Sequence, residues 1–238
     1  GNLSALSTWY NSMVVSGTYT FNPAVGDLIL DAFSRCQVKR TELTQQHMQD
    51  AKLAANLIQI AWSNDGLTLW TVDQQTITLV QGTATYSVPS STVMITDLYI
   101  VISQGNNRLV MPFSRTDYAS LANPNQQGVP TTYWFDRILS PTVTFWPVPD
   151  GNETIAIYYR YRQIQDATIS QGGNAEIPYL WLDAFAAGLA HRLSRSYAPA
   201  LEAQRKVDYQ EAYALAAKQN TENVPLYITP GLSGFYRD

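Results

Sequence analysis

The 238-residue chain is apolar at 45 % of its positions but charged at only 14 %, well under the roughly 25 % usual for globular proteins. With a net charge of −4 and no run of Lys or Arg, it lacks the basic footprint of a nucleic-acid binder. Low charge beside six Trp and fifteen Tyr argues against disorder and for a surface that meets other protein, where amphipathic aromatics collect.

Residues 1–22 show neither helical nor strand periodicity and read as an extended arm. They have no basic start and no apolar core of the kind a signal peptide needs. No apolar run in the chain is long enough to span a bilayer, so we expect synthesis in a reducing cytoplasm and no membrane partner. Asn22-Pro23 is read as the start of a helix, with Asn as cap and Pro in the first turn. Val25, Leu28, Ile29, Ala32, Phe33 and Cys36 then recur at three- and four-residue spacing. Cys36 is the single cysteine, which excludes an intrachain disulfide and a Cys-based metal cluster; on this apolar face we expect a buried, inert thiol. A second helix is predicted from Thr41 or Thr44. Met48, Ala51, Ala55, Ile58 and Trp62 make its stripe, Leu53, Leu57 and Ile60 widen it, and Asn64-Asp65-Gly66 stops it.

From Leu67 the composition turns to Thr, Val, Ile, Tyr and Trp broken by turn clusters, the mark of β-structure. Strands are predicted near Leu69–Val72, Thr76–Leu79, Thr85–Val88, Met94–Ser103, Arg108–Phe113, Thr132–Asp136, Thr142–Trp146 and Thr154–Arg162. Gly105-Asn106-Asn107 and Asp150-Gly151-Asn152 read as hairpin turns, and Ser114–Leu121 as a short Ser-capped helix. Gly172-Gly173-Asn174 reads as a flexible linker back to the helices. Helical spacing returns after Ile177-Pro178, where Leu180, Ala184, Ala187 and Leu193 join Phe185 and Leu189 in one apolar helix. Pro199 breaks it and opens another over Ala198–Asn220. Thr221–Asp238 is apolar but irregular, as in segments that order on a partner.

Four apolar helical stripes need burial, and packing them on one another satisfies all four. The predicted fold class is therefore α+β: a helical bundle from residues 23–66 and 178–220, with an inserted antiparallel β-sandwich or barrel-like domain at 67–177. Arms at 1–22 and 221–238 flank it. Leu28, Phe33, Ile58, Trp62 and Leu193 are the expected helical core.

Reactive chemistry is scarce. His47 and His191 fall in different helix pairs and make no metal-ligand spacing; we read His47 as solvated or intersubunit and His191 as a partly buried, hydrogen-bonded residue. There is no nucleophile elbow, phosphate loop or nucleotide fingerprint, so no cofactor and no metal is expected. Asp136, Asp150 and Glu153 fall at turn-like positions and make no acid pair for sugar hydrolysis. Tyr133, Trp134, Phe135, Phe145, Trp146, Tyr158, Tyr159 and Tyr161 alternate along strands, so half should fill a core and half face outward.

Asp27–Phe33 (DLILDAF), Ala51–Trp62 (AKLAANLIQIAW), Asp65–Trp70 (DGLTLW), Leu79–Pro89 (LVQGTATYSVP) and Phe145–Gly151 (FWPVPDG) together resemble the head-to-tail adaptor proteins of short-tailed bacteriophages, over roughly residues 23–220. That resemblance implies a non-enzymatic virion protein at the head–tail junction. It would form a ring of about twelve copies, with the portal protein on one side and tail nozzle or fibre proteins on the other. DNA would pass through the lumen without specific binding, which an acidic balance suits. In such adaptors the C-terminal segment reaches between portal subunits, which points to Leu226, Tyr227, Ile228, Phe235 and Tyr236 as portal contacts. Residues 1–22 have no counterpart in the family. The alternatives are another tail or nozzle subunit, or a carbohydrate-binding or cell-wall-degrading tail module.

Overall fold

A computed structural model describes residues 18–66, 69–102, 106–168 and 173–220. Its elements in order are α1 (Val25–Arg35), α2 (Gln45–Asp65), β1 (Val72–Thr78), β2 (Thr85–Ser87), β3 (Thr92–Ile102), β4 (Asn106–Leu109), β5 (Met111–Pro112), α3 (Arg115–Ala119), β6 (Thr132–Asp136), β7 (Thr142–Trp146), β8 (Glu153–Arg162), α4 (Leu182–Tyr197) and α5 (Glu202–Gln219). The class is α+β, as the sequence predicts.

The long helices begin and end for local reasons. The Thr44 side chain accepts the His47 backbone N–H, and the His47 ring accepts from the Thr44 backbone in return, a reciprocal cap. Gly66, at φ 74°, supplies the left-handed stop of α2. The start of α1 differs from expectation. Asn22 and Pro23 precede the helix, which opens at Val25 with no side-chain cap. The returning chain does the capping instead, because the Val25 N–H donates to the Gly173 carbonyl at 2.9 Å and Ala24 bridges Asn174. The expected flexible linker is therefore fastened at Gly173 and Asn174.

One apolar cluster draws on α1, α2, α4 and α5. Leu28, Phe33, Ile58, Trp62 and Leu193 are all buried in it. At its centre, Ala184 through His191 are buried without a break, as expected of a helix enclosed on every side. That helix, α4, packs on α1, α2 and α5. Trp62 meets the rings of Trp70, Trp181, Phe185 and Tyr213 at centroid distances of 5.0–6.5 Å. Its indole N–H donates to the Tyr209 hydroxyl at 3.1 Å. Leu180 is exposed, on a 3-10 turn whose tighter pitch turns Trp181 inward in its place. Leu53, Leu57 and Ile60 do not widen the buried stripe of α2 but face solvent. Pro199 opens a 3-10 turn, and α5 follows from Glu202.

The strands form two four-stranded sheets, β1-β8-β3-β4 and β2-β7-β6-β5. A second apolar cluster lies between them, with Ile95, Leu98, Ala156 and Tyr158 from the first sheet and Tyr133, Val143 and Phe145 from the second. All pairs are antiparallel except β5 on β6. Three predicted boundaries fail for topological reasons. Leu69–Val72 and Thr76–Leu79 are a 3-10 turn and a single strand, β1, which runs through Asp73, Gln74 and Gln75. Arg108–Phe113 is not one strand, because the chain changes sheets at the buried Val110: Val110 N–H donates to Leu98, whereas Met111 N–H donates to Thr131. Asp150-Gly151-Asn152 is no hairpin turn, since β7 and β8 lie in different sheets; the turn carries the chain across, with Gly151 at φ 96°. Of the predicted turn Gly105-Asn106-Asn107, Gly105 lies outside the described residues, whereas Asn106 and Asn107 are already in β4, paired with Ile102 and Val101.

Two substitutions test this packing by thermal or denaturant unfolding. Trp62→Ala should cost about 3–5 kcal/mol, since it empties the centre of the helical cluster. Gly188→Ala should destabilise by about 1 kcal/mol despite alanine's higher helix propensity. Its Cβ would stand 3.0 Å from the Tyr209 ring, which the Trp62 hydrogen bond holds in place. A neutral result would show that Tyr209 yields.

Candidate functional site

Neither histidine sits in a reactive arrangement. The His47 ring stacks on Tyr197 at 4.6 Å while serving as half of the α2 cap. His191 is buried, with Nε2 2.9 Å from a Glu202 carboxylate oxygen. The Cys36 thiol donates to the Ala190 carbonyl at 3.4 Å, and burial pushes its pKa up. Asp150 accepts the backbone and side-chain N–H groups of Asn152, a turn role, and Asp136 closes β6. Among the described residues no group of three or more His, Cys, Asp or Glu could hold a metal ion. A cavity of about 570 Å³ between α2 and the β6–β7 connection has Asp166 as its single acid. The strand aromatics divide as alternation requires, with Tyr133, Phe145 and Tyr158 buried and Trp134, Trp146, Tyr159 and Tyr161 only partly so.

The strongest electrostatics are structural and lie where the sheets meet the helices. Arg160 is 4 % exposed. It donates to both Asp73 carboxylate oxygens, at 2.7 and 3.1 Å, and to the Thr92 hydroxyl at 2.7 Å. Arg162 grips the Glu176 carboxylate with two nitrogens, and the Gln165 N–H donates to the same carboxylate at 2.9 Å. Burial alone would raise the Asp73 pKa, but hydrogen bonding and charge from Arg160, aided by Gln75 and Arg162, hold it below the usual carboxylate range. The Arg162 hydrogen bond lowers that of Glu176 against its burial. Two tyrosine–carboxylate hydrogen bonds also fix the helices: Tyr197 donates to Asp50 and Tyr213 to Asp65. The Asp50 contact pushes the Tyr197 pKa up to about 12.

Several large apolar residues stand outward. Leu53, Leu57 and Ile60 stand along α2, Val207 and Leu215 along α5, and Ile138 and Leu139 on the β6–β7 connection, all exposed. Spacings of three and four residues make the α2 set one stripe. Such stripes are what an assembly surface requires.

The family model described as SU10 adaptor protein matches residues 22–229. The chain belongs to this family of phage head-to-tail adaptors. A search of curated proteins finds no match. As an SU10 adaptor protein it is a structural component of a phage virion, and no helix among the described residues is long and apolar enough to cross a membrane. The expected portal contacts Leu226, Tyr227, Ile228, Phe235 and Tyr236 lie outside the described residues. The outward stripe of α2 and the Asp73–Arg160 pair were not anticipated. The pair had one sequence signal: a lone acid, Asp73, in the otherwise uncharged β1, and the arginines Arg160 and Arg162 at the end of β8.

The junction gives a pH-dependent prediction. Asp73→Ala leaves the buried Arg160 guanidinium without its counterion and should cost about 3 kcal/mol at pH 7. Asp73 and Glu176 are both held below their unfolded pKa values of about 4. Their contribution is therefore complete above about pH 5 and is lost as pH falls below about 4. The gap in thermal unfolding between wild type and variant should therefore narrow progressively as the pH is taken below about 4; a gap that does not shrink on acidification would refute the electrostatic origin.

Proposed function

We propose that this adaptor assembles as a ring between the portal and the tail, with DNA passing through its lumen. The helical parts, residues 23–66 and 178–220, form the ring wall, and the β-domain at 67–177 projects toward the nozzle or fibre proteins. The arms at 1–22 and 221–238 reach neighbouring proteins. One observation carries this reading: the helical cluster leaves apolar residues uncovered on two of its helices, the stripe Leu53-Leu57-Ile60 on α2 and, on α5, Val207 and Leu215 two turns apart. A ring subunit touches two neighbours through different surfaces, as a head-to-tail interface demands, whereas a monomer gains nothing from leaving the α2 stripe open. The net charge of −4 fits a lumen that lets phosphates pass without capture.

The C-terminal arm is assigned to the portal on the apolar residues Leu226, Tyr227, Ile228, Phe235 and Tyr236. Deleting Val224–Asp238 should leave the circular dichroism spectrum and melting temperature of the protein unchanged and abolish its co-sedimentation with portal particles. Portal particles that still collect the truncated chain would place the contact elsewhere.

A further inference from the structure

A groove of about 310 Å³ runs between α2 and α4 on the outside of the helical cluster. Leu53 and Leu57 of α2 line it together with Arg192 and Arg195 of α4, and both leucines are exposed. Its one acid, Asp50, is engaged by the Tyr197 hydroxyl. The two arginines differ in what answers their charge. Arg195 lies 3.7 Å from a Glu202 carboxylate oxygen. Arg192 meets no carboxylate among the described residues. Its guanidinium donates instead to the Leu57 carbonyl at 3.3 Å, which sets the charge beside the middle of the α2 stripe. Burial, and after it the positive charge of Arg195, push the Arg192 pKa down. A partly buried cation next to a like charge gains from an anion brought in from outside.

The same chain carries the complement on another face. Val207, Glu211 and Leu215 recur every four residues along α5, so they share one line on the helix, and all three are exposed. Glu211 makes no ion pair among the described residues. Val207 and Leu215 stand about 12 Å apart along their helix, and Leu53 and Ile60 about 10 Å apart along theirs. Each surface therefore has apolar ends and one unanswered charge near its middle, and the two charges are opposite.

We infer that the Val207-Glu211-Leu215 line of one copy lies against the Leu53-Leu57-Ile60 stripe of a neighbouring copy, with Glu211 paired to Arg192 across the contact. Apolar side chains on both sides of the pair exclude water from it, and the pair fixes the register of the two helices. The two surfaces belong to different helices, so the contact is heterologous and repeats from copy to copy around a closed ring. It involves far fewer than the roughly 20–30 residues a side of a stable dimer, so it acts where the portal has already gathered the copies. This rests on the ring reading above and names the faces that meet in it.

The test uses full-length chains on portal particles, with ring assembly scored by electron microscopy and the melting temperature of each free chain measured alongside. Arg192→Glu and Glu211→Arg should each lower the fraction of portals carrying a ring by about tenfold, and the double exchange should restore it. Single exchanges that assemble like wild type overturn the pairing, as does a double exchange that melts like wild type and still fails to assemble. A crosslink decides the contact without altering either charge. Ala214, exposed beside Glu211, is replaced by Cys in one chain and Leu57 by Cys in another, and the two are mixed, assembled, oxidised and run on a non-reducing gel. Cys36 is buried and does not compete. Disulfide-linked dimers in the mixture, and none with either variant alone, support the contact; assembled rings without such dimers overturn it, whatever the exchanged variants do. Wild type that forms no ring on portals overturns the ring reading, and this inference with it.

Discussion

Glu176 receives the chain from both directions, and the architecture depends on that meeting. Its backbone carbonyl accepts the Trp70 indole N–H at 3.1 Å, from the segment leaving α2 for the sheets. Its carboxylate holds Arg162, at the end of the last strand. An inserted domain whose outgoing and returning chains stay side by side can exist without splitting the core around it. Here that closeness is enforced by an ion pair and a hydrogen bond on one residue. Trp70 carries the fastening inward, since its ring lies 5.2 Å from Trp181 and 6.5 Å from Trp62. Asp73 and Arg160, one step into the sheet, extend it to β1, β8 and the start of β3 through Thr92.

Behind this junction the helices are arranged around α4. A helix buried from Ala184 to His191 leaves no room for large side chains where it crosses α2 and α5, and Gly188 faces Tyr209 and Ile58 there. Small residues at the crossing let the helices approach, and the Trp62–Tyr209 hydrogen bond fixes their registration. With α4 consuming the inner faces of α1, α2 and α5, any apolar residue on their outer faces has no intramolecular use. Leu53, Leu57, Ile60, Val207 and Leu215 are such residues.

Much of this was legible because period and composition act locally. The stripes of α1 and α4, the Gly66 stop, the Ser114 cap and most strands were readable as residue spacing or turn chemistry. The failures share one cause, that the deciding partner is distant in sequence. Nothing near Asn22 reveals that Gly173 will cap α1. Arg108–Phe113 has enough apolar residues to read as one strand, and only the arrangement of two sheets makes Val110 a corner. Asp150-Gly151-Asn152 has hairpin chemistry, but the strand after it belongs to the other sheet. On α2, apolar residues occur on two faces, so periodicity cannot say which is the core. The reading that merged Leu53, Leu57 and Ile60 with the buried stripe concealed the surface that bears most directly on function.

That surface also accounts for the low charge from which the sequence reading began. A free monomer of this size stays soluble through charged residues spread over its exterior, and a subunit that will be covered has less need of them. Only 14 % of the chain is charged, and several of those residues are spent inside the fold, as Asp73, Arg160, Arg162 and Glu176 are. Where Ile60, Ile138 and Leu139 gather, beside α2 and the β6–β7 connection, the charged residues are Arg137 and Asp166. Removing charge from a surface lowers the desolvation cost of covering it and leaves apolar contact to drive association. The same scarcity makes the isolated chain prone to wrong contacts. Geometry therefore has to supply the specificity that charge does not.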